Sequence, residues 1–327
     1  MLGIESIQRE MSLPFLASED LGGEPLLISL REAVELAEDA YLRKDTEALE
    51  RAERLLYWIH TANSFGQPLL ATPQLVWGIL MRAKLKTALR ETSKGIPAEL
   101  SAEELRDALL AETVRAERRD HSFIDAIAAR GRLEDLVLYS KNWMVTAHGF
   151  IEQLASLLPH CSAAQRRIVQ ENISDEFQGT PHPELRERYL RRIGVDYSPL
   201  AALEDPHYLT EAMSILNYRT GVTTLSDPFY ALGSFYSVES VFCLISEKLV
   251  RALPRFGLNE LDYEMFKLHS TVDEGHAEEW LGAIELPGIT PVNRAEVLTG
   301  ARAQMNLRHR LFDAMRARCS LPATVTD

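Results

Sequence analysis

Apolar residues recur every three to four positions along almost the whole chain, and no stretch alternates polar and apolar side chains long enough to build a sheet. After an irregular opening through Gly22-Gly23-Glu24-Pro25, residues 30–60 read as one or two helices, with Ala33, Val34, Leu36, Ala37 and Ala40 on one face. Residues 66–73 are an expected break and 74–89 a helix, followed by an interruption at Gly95-Ile96-Pro97. Ser101 caps a helix running towards Ala129, with Glu103 and Glu104 in its first turn. Gly131 precedes one long expected helix over 133–158, and Ser162 opens another that ends near Phe177. Gly179-Thr180-Pro181 is a turn, and Pro183 restarts a helix where its missing N–H costs nothing. Further helices are expected over 205–218, 228–252, 259–281 and 293–315, so the fold class is all-α, a helical bundle.

Composition narrows the function classes. The formal net charge of −13 argues against a nucleic-acid surface but not against a small anionic substrate, since one pocket can differ in sign from the whole. Cys161, Cys243 and Cys319 are widely spaced and odd in number, which fits reduced thiols rather than a disulfide framework or a thiolate metal site. No signal-type leader follows Met1, and no uncharged run reaches the ~20 residues of a membrane span. A cytoplasmic location, without membrane or nucleic-acid partners, is the expectation. A boundary near 92–100 would set residues 1–100 apart as an N-terminal helical extension of a domain over 101–327.

Three segments carry chemistry. Glu239 lies on the apolar stripe of the 228–252 helix, between Phe235, Tyr236 and Phe242, where a carboxylate is costly unless paired or metal-bound. An arginine or tyrosine partner would satisfy it equally. In the second segment, Glu171 to Leu185, Glu176 stands near a helix end and His182 just past the turn. Glu171 and Asp175 read as a solvated helix end, and His182 alone could be a cap. The third is His269, Asp273 and His276, spaced i, i+4 and i+7, which share one helical face. That face could be a surface cluster, but Met265, Leu268 and Val272 beside it favour an inward orientation. Together the segments offer three carboxylates and three imidazoles, a donor set suited to two iron ions. With two Fe(II), those three carboxylates would leave a residual positive charge. A mononuclear or dimanganese site and a non-catalytic helical scaffold stay open on the residues alone.

The chain also resembles a known group, the heme-oxygenase-like diiron oxidases and oxygenases, relatives in fold of the TenA and PqqC proteins. The resemblance rests on His121-Ser122-Phe123-Ile124-Asp125-Ala126-Ile127 with Gly131-Arg132-Leu133, on Glu171–Leu185, on Glu239, and on His269-x3-Asp273-x2-His276, and it covers roughly residues 115–285. It implies a heme-oxygenase-like bundle with Glu176, His182, Glu239, His269, Asp273 and His276 as iron ligands, Glu239 bridging, and Asp175 as ligand or outer-shell partner. Two Fe(II)/Fe(III) ions per chain, O2 as cosubstrate and an external electron donor follow from it, the chain having no flavin or nicotinamide fingerprint. The implied reactions are N-oxygenation of an amino acid or amine, oxidative C–C cleavage, and desaturation of an amino or fatty acid, all on a small-molecule substrate. Heme, thiaminase and cofactor-free quinone-forming chemistry do not account for the six ligands. Trp143, His148, Phe235, Tyr236 and Tyr263 are candidate pocket residues, with core packing the competing reading for each. The first hundred residues fall outside the resemblance. Dimerisation, closure over a substrate and simple elaboration are the roles open to them, the first giving a homodimer.

Overall fold

The computed structural model describes residues 29–64, 71–199, 201–286 and 288–319, without the side chains of 63, 64, 71, 72 and 272–274. The expected irregular opening and most of the expected 66–73 break lie outside these residues. The described elements are helical: α1 (Leu30–Ala37, continued by a wider turn over Glu38–Arg43), α2 (Thr46–Ser64), α3 (Ala71–Thr92), α4 (Ala102–Arg130), α5 (Leu133–Ala147), α6 (Phe150–Leu157), α7 (Ala163–Asp175), α8 (His182–Arg192), α9 (Thr210–Leu225), α10 (Pro228–Ala252), α11 (Glu264–Ile284) and α12 (Pro291–Arg318). The all-α reading is correct. Ser101 and Ser162 each close a capping box, with Glu104 and Gln165 respectively.

Two helix boundaries differ in an informative way. The single helix expected over 133–158 is two, because Gly149 adopts φ +65° and turns the chain between α5 and α6. The helix expected from 205 starts instead at Thr210. Asp205 is occupied in the preceding loop, where its carboxylate accepts from the His207 backbone N–H at 2.8 Å and from Lys141.

Helix α10 lies at the centre, packed against α4, α11 and α12, while α9 packs against α2, α3, α5, α6 and α12. By length and composition Pro228–Phe256 could cross a membrane, but 67% of its apolar window is buried inside the protein, which accounts for its hydropathy. Helices α1–α3 join the bundle mainly through the first of two large apolar cores among the described residues. That core gathers Leu55, Leu80, Leu154, Val169, Tyr218, Phe235, Trp280 and Val297. A buried polar knot reinforces the junction: Glu53 of α2 pairs with Lys84 of α3 and accepts from Ser214 and Asn217 of α9. The second core gathers Phe123, Tyr139, Val145, Leu185, Leu216, Ile245, Phe266 and Leu311.

Helices α9, α10, α11 and α12 run through both cores. Along α10, Phe235 belongs to the first and Ile245 to the second, with Glu239 between; along α11, Phe266 and Trp280 bracket His269 and His276. The α7–α8 connection passes likewise from Val169 to Leu185 across Glu176 and His182. The fold thus holds a polar layer between two apolar ones.

Candidate functional site

Glu176 is the C-cap residue of α7, and Gly179, at φ +65°, lets the chain reverse within a few residues. The reversal closes when the His182 backbone N–H donates to the Glu176 carbonyl at 3.0 Å. It sets the two side chains side by side, with His182 Nδ1 3.2 Å from Glu176 Oε2. That contact is out of line for a hydrogen bond, so the buried Nδ1 has none among the described residues. Burial would raise the Glu176 pKa, but His182, His269 and Arg186 together outweigh it and hold the carboxyl below its usual value.

From α11, the His269 ring lies 4.8 Å from that of His182 and 5.0 Å from Phe242, centroid to centroid. One helical turn pair further on, His276 spans two carboxylates. Its Nε2 is 3.0 Å from Asp175 Oδ2 and its Nδ1 3.8 Å from Glu239 Oε2. Asp175 is the more exposed of these two acids, with 30% of its side chain open to solvent against 7% for Glu239. With Nε2 carrying the proton towards Asp175, the imidazole turns the lone pair of Nδ1 to the Glu239 carboxylate. Two electron-rich groups then face one another in a desolvated layer, an arrangement that a cation between them stabilises.

The structure therefore brings Glu176, His182, Glu239, His269 and His276 into one layer, with Asp175 behind His276. Asp273 lies on the same helix, its side chain outside the described residues. Among the described side chains, which leave out Asp273, no three His, Cys, Asp or Glu donors converge closely enough to hold a metal ion. Nitrogen and oxygen donors of this kind, with a buried imidazole nitrogen lacking a hydrogen bond, nonetheless fit iron in chemical type.

A cavity opens beside this layer, bounded by Glu176, Glu239 and His269 on one side and by Trp143, Phe150, Phe242, Leu311 and Phe312 on others. Trp143 stacks on Phe242 with centroids 5.7 Å apart. A wider groove shares Ala147, Phe150 and Arg186 with the cavity, so the two adjoin at the α5–α6 break. Of the pocket residues expected from sequence, Trp143 lines the cavity and His148 lines the groove. Phe235 and Tyr236 pack in the first core and Tyr263 in the second, and none of the three borders the cavity.

Among the polar residues that the sequence did not single out, Arg186, Arg219, Gln304 and Arg308 border the cavity. Arg219 stands in the run Met213–Val222 of α9, where the structure buries every residue, and a cation there asks for the same explanation as Glu239. Burial lowers its pKa to about 10, with Glu239 acting in the opposite direction.

Two solved structures share the architecture. A domain of unknown function with a heme oxygenase-like fold from Shewanella denitrificans OS217 is 15% identical, aligns over 67% of this chain and 93% of its own, and gives a TM-score of 0.55. A TenA homolog from Pseudomonas syringae pv. tomato strain DC3000 is 14% identical over 68% of this chain and 97% of its own, with a TM-score of 0.57. At such identities the likeness establishes the heme-oxygenase-like fold and nothing finer. No curated protein matches the chain. The family model described as iron-containing redox enzyme matches residues 137–309, which run from α5 to α12 and contain every candidate ligand. More than half of the sequence is matched, and the chain belongs to that family.

Proposed function

We propose that this protein is a non-heme diiron oxidase or oxygenase that uses O2 on a small metabolite, with oxygen transfer to the nitrogen of an amino acid or amine as the reaction to test first. The observation that carries the reading is the buried polar layer, in which Glu176 and His269 neighbour His182, His276 neighbours Glu239, and Glu176, Glu239 and His269 border an aromatic cavity. Ferrous iron held there would supply the one-electron chemistry that triplet dioxygen needs to react with a closed-shell metabolite.

The chain's own residues have separate tasks. Glu176, His182, Glu239, His269, Asp273 and His276 would hold the metal, Glu239 from the midpoint of the central helix. Asp175 keeps the proton on the far nitrogen of His276 and fixes its ring. Trp143, Phe150 and Phe242 keep water away from the reacting atoms and shape the space for substrate. Electrons would come from an external donor.

Anaerobic titration of the full chain with Fe(II), followed by metal analysis, should find about two irons per chain. Glu239→Ala should lose at least one of them. With iron, reductant and a panel of amino acids and amines, oxygen uptake should rise for the matching substrate. A Glu239→Ala protein that keeps both irons at full affinity would remove this reading.

A further inference from the structure

Arg219 is 3% exposed, projects from the centre of α9 into the cavity wall, and leaves Nε and Nη2 without a hydrogen-bond partner among the described residues. Those two N–H groups are not a random pair. They form the parallel edge of the guanidinium, the edge that takes both oxygens of a carboxylate at once. The same protein shows that edge in use: Arg106 donates from Nε and Nη2 to the two oxygens of Glu285, at 2.8 and 2.9 Å. At Arg219 the edge is buried and meets no acceptor among the described residues. Buried donors without a protein acceptor are costly to maintain, so a ligand that supplies acceptors at this border of the cavity would be favoured.

The neighbours restrict what could fill it. The Phe150 ring sits 5.5 Å from the guanidinium carbon and covers one of its faces. Arg308 also borders the cavity and has Nη2 unpaired among the described residues, but its Nε is taken by Asp120 at 3.1 Å, so its parallel edge is already divided. Arg186 gives Nη1 to the Ala147 carbonyl. The buried Arg219 fork, with an aromatic ring over one face, suits a planar monoanion with two oxygens. A phosphate would have to find partners for its further oxygen and charge in Arg308 or Arg186, which already donate to Asp120 and to the Ala147 carbonyl.

We propose that Arg219 is the substrate's carboxylate anchor, gripping the acid group by its Nε/Nη2 edge while the apolar or aromatic body of the substrate lies along Trp143, Phe150 and Phe242. This takes the cavity to be the substrate site and so rests on the proposed function. The acid group is held by the protein, apart from the polar layer of candidate metal ligands, and the anchor selects acids over the corresponding amines and amides.

Calorimetric titration of the full chain, without metal and after anaerobic Fe(II) loading, tests this with straight-chain carboxylates of four to twelve carbons. Each is compared with its amide and amine, and inorganic phosphate serves as competitor. At least one carboxylate should bind tenfold or more tightly than its amide, with phosphate not competing. Arg219→Gln should erase that preference, and Arg219→Lys, which keeps the charge but loses the fork, should retain only a minor part of it. The Gln variant should melt no lower than the wild type, because it loses a buried charge two of whose donors lack a partner among the described residues; a merely structural arginine would lower the melting temperature. Absence of any carboxylate preference in the wild type, or its survival in Arg219→Gln or in full in Arg219→Lys, overturns the proposal. Metal analysis of the wild type separates the two readings. Preference without iron uptake would sink the iron site and keep the anchor, whereas iron uptake without preference would do the reverse.

Discussion

His121, on α4, is 1% exposed, and neither ring nitrogen finds a hydrogen-bond partner among the described residues. Burial, with Arg308 and Lys248 adding to it, pushes its pKa down to about 3 from 6.5. The folded state therefore binds its proton less readily than the unfolded state between those two values. Stability falls as pH drops from 6.5 towards 3 and is regained as pH rises, by about 2 kcal/mol for this one group between pH 7 and 5. The drop in urea midpoint from pH 7 to pH 5 should be visibly smaller in His121→Leu than in the wild type, and an equal drop in both would mean that His121 is not buried neutral. His121 also shows how residues become legible in a sequence. It stood out as part of a motif, while its burial and lack of partners depend on side chains arriving from α10 and α12, which no local pattern records. Glu239 was readable because a carboxylate on an apolar stripe breaks a local rule. Arg219 breaks the same rule, but α9 is buried all round and has no polar face against which an arginine looks misplaced. Asp175 is the converse: it read as part of a solvated helix end, and its 3.0 Å contact with His276 comes from a segment a hundred residues away.

At the scale of elements, the site depends on how closely α10 approaches its neighbours. Gly233 of α10 lies against the Val297 backbone of α12, and Gly300 of α12 against that of Tyr230, so a Cβ at either place would overlap a carbonyl. Because these contacts are with backbone, the helices themselves would have to separate. Gly300→Ala should therefore cost about 1–3 kcal/mol, the range for overpacking a close-packed interior, despite alanine's better helix propensity. Chemical denaturation would read the loss, and a variant as stable as the wild type would show that the crossing can open without penalty. Helix periodicity located nearly every element, since each buries one face and capping serines mark several starts. It missed the break at Gly149 because the apolar pattern continues across it; a single positive φ separates α5 from α6 where the cavity meets the outer groove.

For the molecule as a whole, the two large apolar cores and the polar layer between them would make the proposed metal binding a matter of stability as well as chemistry. Donors come from the α7–α8 turn, from α10 and from α11, elements joined otherwise by apolar contacts and a few hydrogen bonds such as Trp280 Nε1 to Asn172 Oδ1 at 3.0 Å. Without a cation, the layer concentrates buried carboxylates and imidazoles whose desolvation is only partly offset. A metal that binds the native state alone adds RT ln(1 + [metal]/Kd), about 2.7 kcal/mol at a hundredfold excess over Kd. Anaerobic Fe(II) should thus raise the melting temperature of the wild type by several degrees, and a chelator should return it to the starting value. Glu239→Leu should behave oppositely: with one buried charge replaced by an apolar side chain on an apolar stripe, the metal-free protein should melt at or above the wild-type temperature and gain little from iron. Equal Fe(II) stabilisation of both proteins would place the metal elsewhere. A Leu variant that melts well below the metal-free wild type would instead make Glu239 a structural partner in the layer, and the family's iron chemistry would then need different residues of this chain to hold it.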